Sequence, residues 1–232
     1  MSQTFLAGKS VLVADDEKFS RQIIIHHLRD FGDPQIEQAA SGSEALVILS
    51  DPAKKCDVVI LDVVMPGVNG LTVLKAIRVG FNSIRRDMPV IMLTGNSDAD
   101  LVSSALLLDV DAFVVKPVSK VGLSTRLAKA LEENRDMRSA ADYAAVPTEK
   151  NERKAEALIK AAERQAQEPE GVGPGRLVPV TDLLPGAVLA RDLCNSARAL
   201  VLPAGVTLTA RYILRLRELA SVDVVLGRMW VE

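Results

Sequence analysis

Five short, mostly apolar runs recur along the first half of the chain, and between them apolar residues return at three- and four-residue intervals, the spacing of helices. The runs are SVLVA (10–14), IEQAA (36–40), DVVILD (57–62), PVIMLT (89–94) and AFVVK (112–116). Continuous rather than alternating apolar runs are strands buried on both faces, and that burial requires a parallel sheet covered by helices on each side. Intervals of about 15 to 25 residues are long enough for the helix and two loops of each parallel crossover. The pattern predicts an α/β fold built on a five-stranded parallel, doubly wound sheet.

The rest of the chain changes character twice. Residues 135–175 mix charges of both signs with alanine and end in the Pro/Gly cluster EPEGVGPG, which reads as a charged, partly helical linker with a helix over Thr148–Gln167. No sustained heptad runs through it, so a coiled coil pairing two copies is the lesser reading. Residues 176–232 carry the short β-like runs LVPV, AVLARDL and ALVLPAG, with Cys194–Ala197 as a hairpin turn between the last two, then a helix from Thr209 to Ala220 and a final strand VDVVLG. This is a small α+β module near the lower size limit for independent stability, so dimer formation is a candidate source of further support.

Bulk properties exclude more than they assign. With 232 residues the chain can form one or two domains, and its net charge of −2 offers no general attraction to nucleic acid. Its two cysteines, Cys56 and Cys194, lack metal-ligand spacing, and Cys56, just before a buried strand, reads as an inert thiol. The start MSQTFLAGKS has neither the basic segment nor the apolar stretch of a signal peptide, and no apolar run approaches the roughly 20 residues that span a bilayer, so a cytoplasmic location without membrane insertion is expected.

In an open parallel sheet the carboxyl ends of the strands share one edge, where ligands collect. There the first run ends in Asp15-Asp16, the third in Asp62, the fourth in Thr94-Gly95 and the fifth in Lys116-Pro117. Three carboxylates in one place repel unless a cation sits among them, and an oxygen-only set favours a hard ion such as Mg²⁺. Mg²⁺ is commonly completed by phosphate oxygens, and Lys116 and Thr94 provide an ammonium and a hydroxyl for them. Asp62 is then the candidate nucleophile, because aspartate carboxylates serve as covalent phosphoryl acceptors.

The acidic pair Asp15-Asp16, the stretch L-D-x-x-M-P-x-x-N-G from Leu61 to Gly70, Thr94 and Lys116-Pro117 resemble the receiver domain of bacterial two-component response regulators, over residues 8–134. The resemblance implies a flavodoxin-like fold, Asp62 as phosphoacceptor, and Mg²⁺ held by Asp15, Asp16 and Asp62. It further implies that Thr94 and Lys116 contact the phosphoryl oxygens and that Phe113, at the aromatic switch position, moves with Thr94 on phosphorylation. The implied partner is a histidine kinase or phosphotransfer protein, and a cis peptide before Pro117 is implied as well.

Two positions depart from the family's pattern. Asp109-Val110-Asp111-Ala112 stands where Gly-Ala is frequent, although Asp tolerates the left-handed conformation such a turn can demand. Val64 replaces a polar side chain two residues after Asp62, which implies a longer-lived phosphorylated state. His26 and His27, among Ile24, Ile25 and Leu28 of the first helix, read as packing or surface residues rather than phosphoryl carriers.

The tail is similar to a small module that accompanies HD-GYP cyclic-di-GMP phosphodiesterases. The likeness rests on Leu184-Pro185-Gly186, Leu189-Ala190-Arg191-Asp192, Leu202-Pro203-Ala204-Gly205 and Leu208-Thr209. Those enzymes bind two metals with clustered His and Asp, and the tail has no histidine, so no enzymatic activity is expected. The rival expectations are a degenerate phosphodiesterase subunit and an atypical transcriptional regulator. Against the second, no helix-turn-helix or set of stacking aromatics is evident, and Arg211, Arg215 and Glu218 on one helix face read as solvated. The expected role is a switch of contacts with an unidentified downstream protein.

Overall fold

The computed structural model describes residues 4–95, 99–149, 175–194, 200–220 and 228–232. The chain forms two compact units, Met1–Asp98 with Val110–Ala145, and Ala99–Asp109 with Val146–Glu232. The sequence-predicted strand VDVVLG, most of the Cys194–Ala197 turn and most of the helix over Thr148–Gln167 lie outside the described residues.

The first unit is built on β1 (Ser10–Ala14), β2 (Gln35–Ala39), β3 (Val58–Asp62), β4 (Val90–Thr94) and β5 (Ala112–Val115). All pairings are parallel and the order is β2-β1-β3-β4-β5, the flavodoxin-like arrangement. Every residue of β1, β3 and β4 is buried, as their continuous apolar runs require, whereas the edge strand β2 buries only Ala39. Period-two alternation divides the side chains between two faces. On one face Val11, Val13, Val58, Ile60, Ile91 and Leu93 pack with Ile24 and Leu28 of α1 (Lys18–Arg29) and with Leu123 and Leu127 of α5 (Lys120–Glu132). On the other, α2 (Gly42–Ser50) packs on β1 and β2 and against α3 (Gly70–Val79).

Side-chain caps start α2, α3 and α5. Ser41 accepts from the Glu44 N–H, Asn69 from Thr72 and Ser119 from Gly122. His26 is exposed and His27 half-buried on α1. Past α5 the unit continues through α6 (Ala140–Ala144), which has a Ser139–Asp142 capping box and lies against α3.

A buried charge cluster supports the strands' amino ends. Asp111, fully buried, accepts from Arg78 Nη2 at 2.8 Å, from the Val90 N–H at 2.7 Å and from Arg135 Nε. Arg78, equally buried, also donates to the Arg86 and Met88 carbonyls, both at 2.8 Å. Arg86 in turn reaches the Arg138 carbonyl, and both guanidinium groups lie over the Tyr143 ring. Asp109, where glycine is frequent, adopts φ +49°.

In the second unit β6 (Arg176–Pro179) pairs antiparallel with β9 (Arg228–Val231), and β7 (Leu193–Cys194) with β8 (Leu200–Leu202). The amphipathic helix α7 (Ala210–Ala220) buries Tyr212, Ile213, Leu216 and Leu219, and Thr209 accepts from the Tyr212 N–H at its start. Arg217 donates to the Val180 and Thr181 carbonyls, fixing the 3-10 turn after β6. The solvated-face expectation for α7 is corrected, since Arg215 is 1% exposed and pairs with Glu218 at 2.9 Å. The helix α4 (Ala99–Leu107), which joins β4 to β5 in sequence, belongs to this unit and packs against β8. No helix among the described residues is long and apolar enough to cross a membrane.

Candidate functional site

Asp15 follows the last residue of β1, Asp62 ends β3, Thr94 ends β4 and Lys116 follows β5 directly. Adjacent strands hold these positions in register, since the Val63 N–H donates to the Leu93 carbonyl at 3.1 Å and the Lys116 N–H to the Thr94 carbonyl at 2.9 Å. The edge therefore gathers residues that lie up to about a hundred positions apart in the chain.

Lys116 Nζ lies 2.8 Å from Asp62 Oδ2 and 2.9 Å from Asp15 Oδ2, so one ammonium spans two carboxylates. Asp15 and Asp62 are buried and Asp16 is exposed, and ligand oxygens of the three lie within 4.8 Å of one another. This all-oxygen donor set, with no histidine or thiolate, fits a hard cation. Burial is the largest influence on Asp62 and raises its pKa from 3.8 to about 6; Lys116 opposes that rise and the Asp15 charge adds to it. Burial also works against the Lys116 ammonium, but hydrogen bonds and charge from the two carboxylates outweigh it, and its pKa is raised.

The loop after β3 is shaped by its glycines. Gly67 has φ +72°, a conformation that side chains disfavour. A Cβ on Gly70 would stand 2.0 Å from the Asp62 carbonyl oxygen, so only glycine lets α3 begin this close to the Asp62 backbone. The Lys116–Pro117 peptide is cis. Thr94 is buried at 3% exposure, with its hydroxyl 3.2 Å from the Gly95 carbonyl. Phe113 is buried within β5, and Val64 is 53% exposed beside the site.

A model of the response regulator receiver domain matches residues 11–128. The chain belongs to the response regulator receiver family. Receiver domains of two-component systems bind Mg²⁺ at an acidic pocket and interact with histidine kinases or phosphotransfer proteins. The chemotaxis protein CheY of Pseudomonas aeruginosa is 31% identical over 122 residues, covering 53% of this chain and 95% of CheY. The phosphate regulon transcriptional regulatory protein PhoB of the same organism is 30% identical over 126 residues, 54% of this chain and 53% of PhoB. A solved receiver domain structure from Clostridium thermocellum shares 32% identity, with a TM-score of 0.48, over 53% of this chain and 94% of that one. The receiver match ends before α6 and leaves residues 129–232 outside it.

Asp15, Asp16, Asp62, Thr94 and Lys116, all singled out from sequence, share the receiver's edge, whereas Phe113 is a core side chain within β5. Ser20 was not singled out. Its hydroxyl donates to Asp15 Oδ2 at 2.6 Å, and a serine in a first helical turn carries no sequence signal that aims it at an acid five residues earlier.

Proposed function

We propose that this chain is a response regulator whose Asp62 accepts a phosphoryl group from a histidine kinase or phosphotransfer protein and whose C-terminal unit, without enzymatic activity of its own, converts that event into altered protein contacts. The observation that carries the reading is the Lys116 ammonium held between Asp62 and Asp15 at 2.8 and 2.9 Å. An acid, a cation and a second acid in mutual contact are the groups that reception of a phosphoryl group calls for, and this supports the reading.

Asp15, Asp16 and Asp62 would hold Mg²⁺, which when bound neutralises negative charge on the carboxylates and on phosphoryl oxygens. An Asp62 carboxylate oxygen attacks phosphorus in line, forming the O–P bond as the N–P bond to the donor imidazole breaks and its electron pair returns to the ring nitrogen. Lys116 moves from its carboxylate partners to pair with the phosphoryl oxygens, and the Thr94 hydroxyl donates to them. The reading gives Phe113 a change of packing coupled to Thr94, and it gives exposed Val64 little capacity to orient a hydrolytic water.

Support for transmission to the tail comes from α4. It lies between Thr94 and Phe113 in sequence, yet it groups with Val146–Glu232 and packs against β8. In this reading, movement of Thr94 reaches the C-terminal unit along the chain, because α4, the next helix in sequence, belongs to that unit. The test is recovery of partners from the native cell extract by the full chain, with and without Mg²⁺ and beryllofluoride, repeated with Asp62→Ala. Partner sets that change only for the wild type with beryllofluoride support the reading, and identical sets in every arm exclude the switch.

A further inference from the structure

Asp15 is fully buried, and its carboxylate is held by three donors of different kinds. Oδ1 accepts the Glu17 N–H at 2.8 Å. Oδ2 accepts the Ser20 hydroxyl at 2.6 Å and the Lys116 ammonium at 2.9 Å. A distance of 2.6 Å lies in the range of O–H···O⁻ bonds to an ionised acceptor, about 2.5–2.7 Å, which are roughly twice as strong as neutral ones. Ser20 stands in the first turn of α1, whose N-cap Glu17 provides no side-chain cap, so Asp15 and Ser20 hold the helix start and the site edge together.

The three donors differ in what they do once the site is used. Lys116 is shared with Asp62 and, under the proposed function, is the donor that turns to an arriving phosphoryl group, whereas Ser20 and the Glu17 N–H hold Asp15 from the start of α1. We propose that Ser20 is a positioning residue for cation binding: its hydroxyl fixes the Asp15 carboxylate, and keeps it fixed after Lys116 has turned to the phosphoryl group. The inference rests on the reading of Asp15 as a cation ligand. Loss of a hydrogen-bond partner behind a metal ligand typically lowers metal affinity or activity by about 10–100-fold.

The experiment is Mg²⁺ titration of the full chain by calorimetry for wild type, Ser20→Ala, Ser20→Val and Ser20→Thr, with the rate of phosphorylation by acetyl phosphate recorded against Mg²⁺ concentration. Thr and Val have nearly the same shape and differ in the hydroxyl, so they separate hydrogen bonding from packing of α1. The expected result is Mg²⁺ affinity about 10-fold weaker or more for the Ala and Val variants, affinity near wild type for Thr, and phosphorylation rates that converge at saturating Mg²⁺. Equal affinities for wild type, Thr and Val, with normal phosphorylation, overturn the role of Ser20 and leave the phosphoacceptor reading intact. A wild-type chain that binds no Mg²⁺ overturns both.

Discussion

The Lys116 ammonium lies 2.8 Å from Asp62 Oδ2 and is about one quarter exposed, which makes it the charge that lets two buried acids face each other. Removing it leaves Asp15 and Asp62 repelling each other in a poorly solvated place. Lys116→Ala should destabilise the metal-free protein at pH 7 by about 1–3 kcal/mol, a range reduced from that of fully buried pairs because solvent screens this one. The loss should shrink toward pH 5 as Asp62 takes up a proton, and Mg²⁺ should restore part of it. Thermal unfolding with and without Mg²⁺ measures both effects.

The pH dependence follows from Asp62, whose pKa is raised from 3.8 to about 6. The folded metal-free protein binds this proton more tightly than the unfolded chain, so the associated stability is present below pH 4 and is lost as pH rises through 6. Asp62→Asn removes the ionisation and should stabilise the metal-free protein at pH 7 by up to about 3 kcal/mol, with little difference at pH 4. Denaturant midpoints across this range give the comparison. Mg²⁺ binding to the wild type should release close to one proton at about pH 5 and almost none at pH 8, which calorimetry in buffers of different ionisation enthalpy detects.

Much of this architecture was legible in the residues themselves. Val58, Val59, Ile60 and Leu61 leading into Asp62 specify a doubly buried strand with an acid at its carboxyl end, and the same logic at Ala14, Thr94 and Val115 assembles the edge from the residues alone. What stayed hidden depends on side chains meeting across the fold. Arg78, thirty-three positions from Asp111, looks like the basic residue of an exposed helix end, because sequence periodicity does not reveal a fully buried acid waiting for it. Arg215 misled in the same way: spacing put it on a polar face with Arg211 and Glu218, and tertiary packing buries Arg215 while those two stay half-buried.

The Asp111 cluster yields a prediction about stability away from the site. Asp111→Ala leaves Arg78 and Arg135 without their shared carboxylate in a buried place and the Val90 N–H without its acceptor. A loss of about 3–5 kcal/mol is expected, since removing one partner strands uncompensated buried charge. Chemical denaturation reports the loss, and a change below about 1 kcal/mol would mean the cluster does little to hold β4 and β5.

Gly70 supplies a test of the loop that carries the acceptor. Because an added methyl would stand 2.0 Å from the Asp62 carbonyl oxygen, Gly70→Ala must push the Asp62 backbone or the start of α3 aside. Overpacking of this kind typically costs about 1–3 kcal/mol. Phosphorylation should fall more steeply than stability, because the displaced atoms belong to the acceptor itself. Rate and unfolding midpoint measured on the same preparation separate the two.

The most direct measurement is the intact mass of the full chain after incubation with Mg²⁺ and acetyl phosphate. The expected result is a gain of one phosphoryl group that requires Mg²⁺, is lost on adding hydroxylamine as acyl phosphates are, and does not occur in Asp62→Asn. A wild-type mass that never increases, or an equal increase in Asp62→Asn, would contradict the assignment of Asp62 as the acceptor.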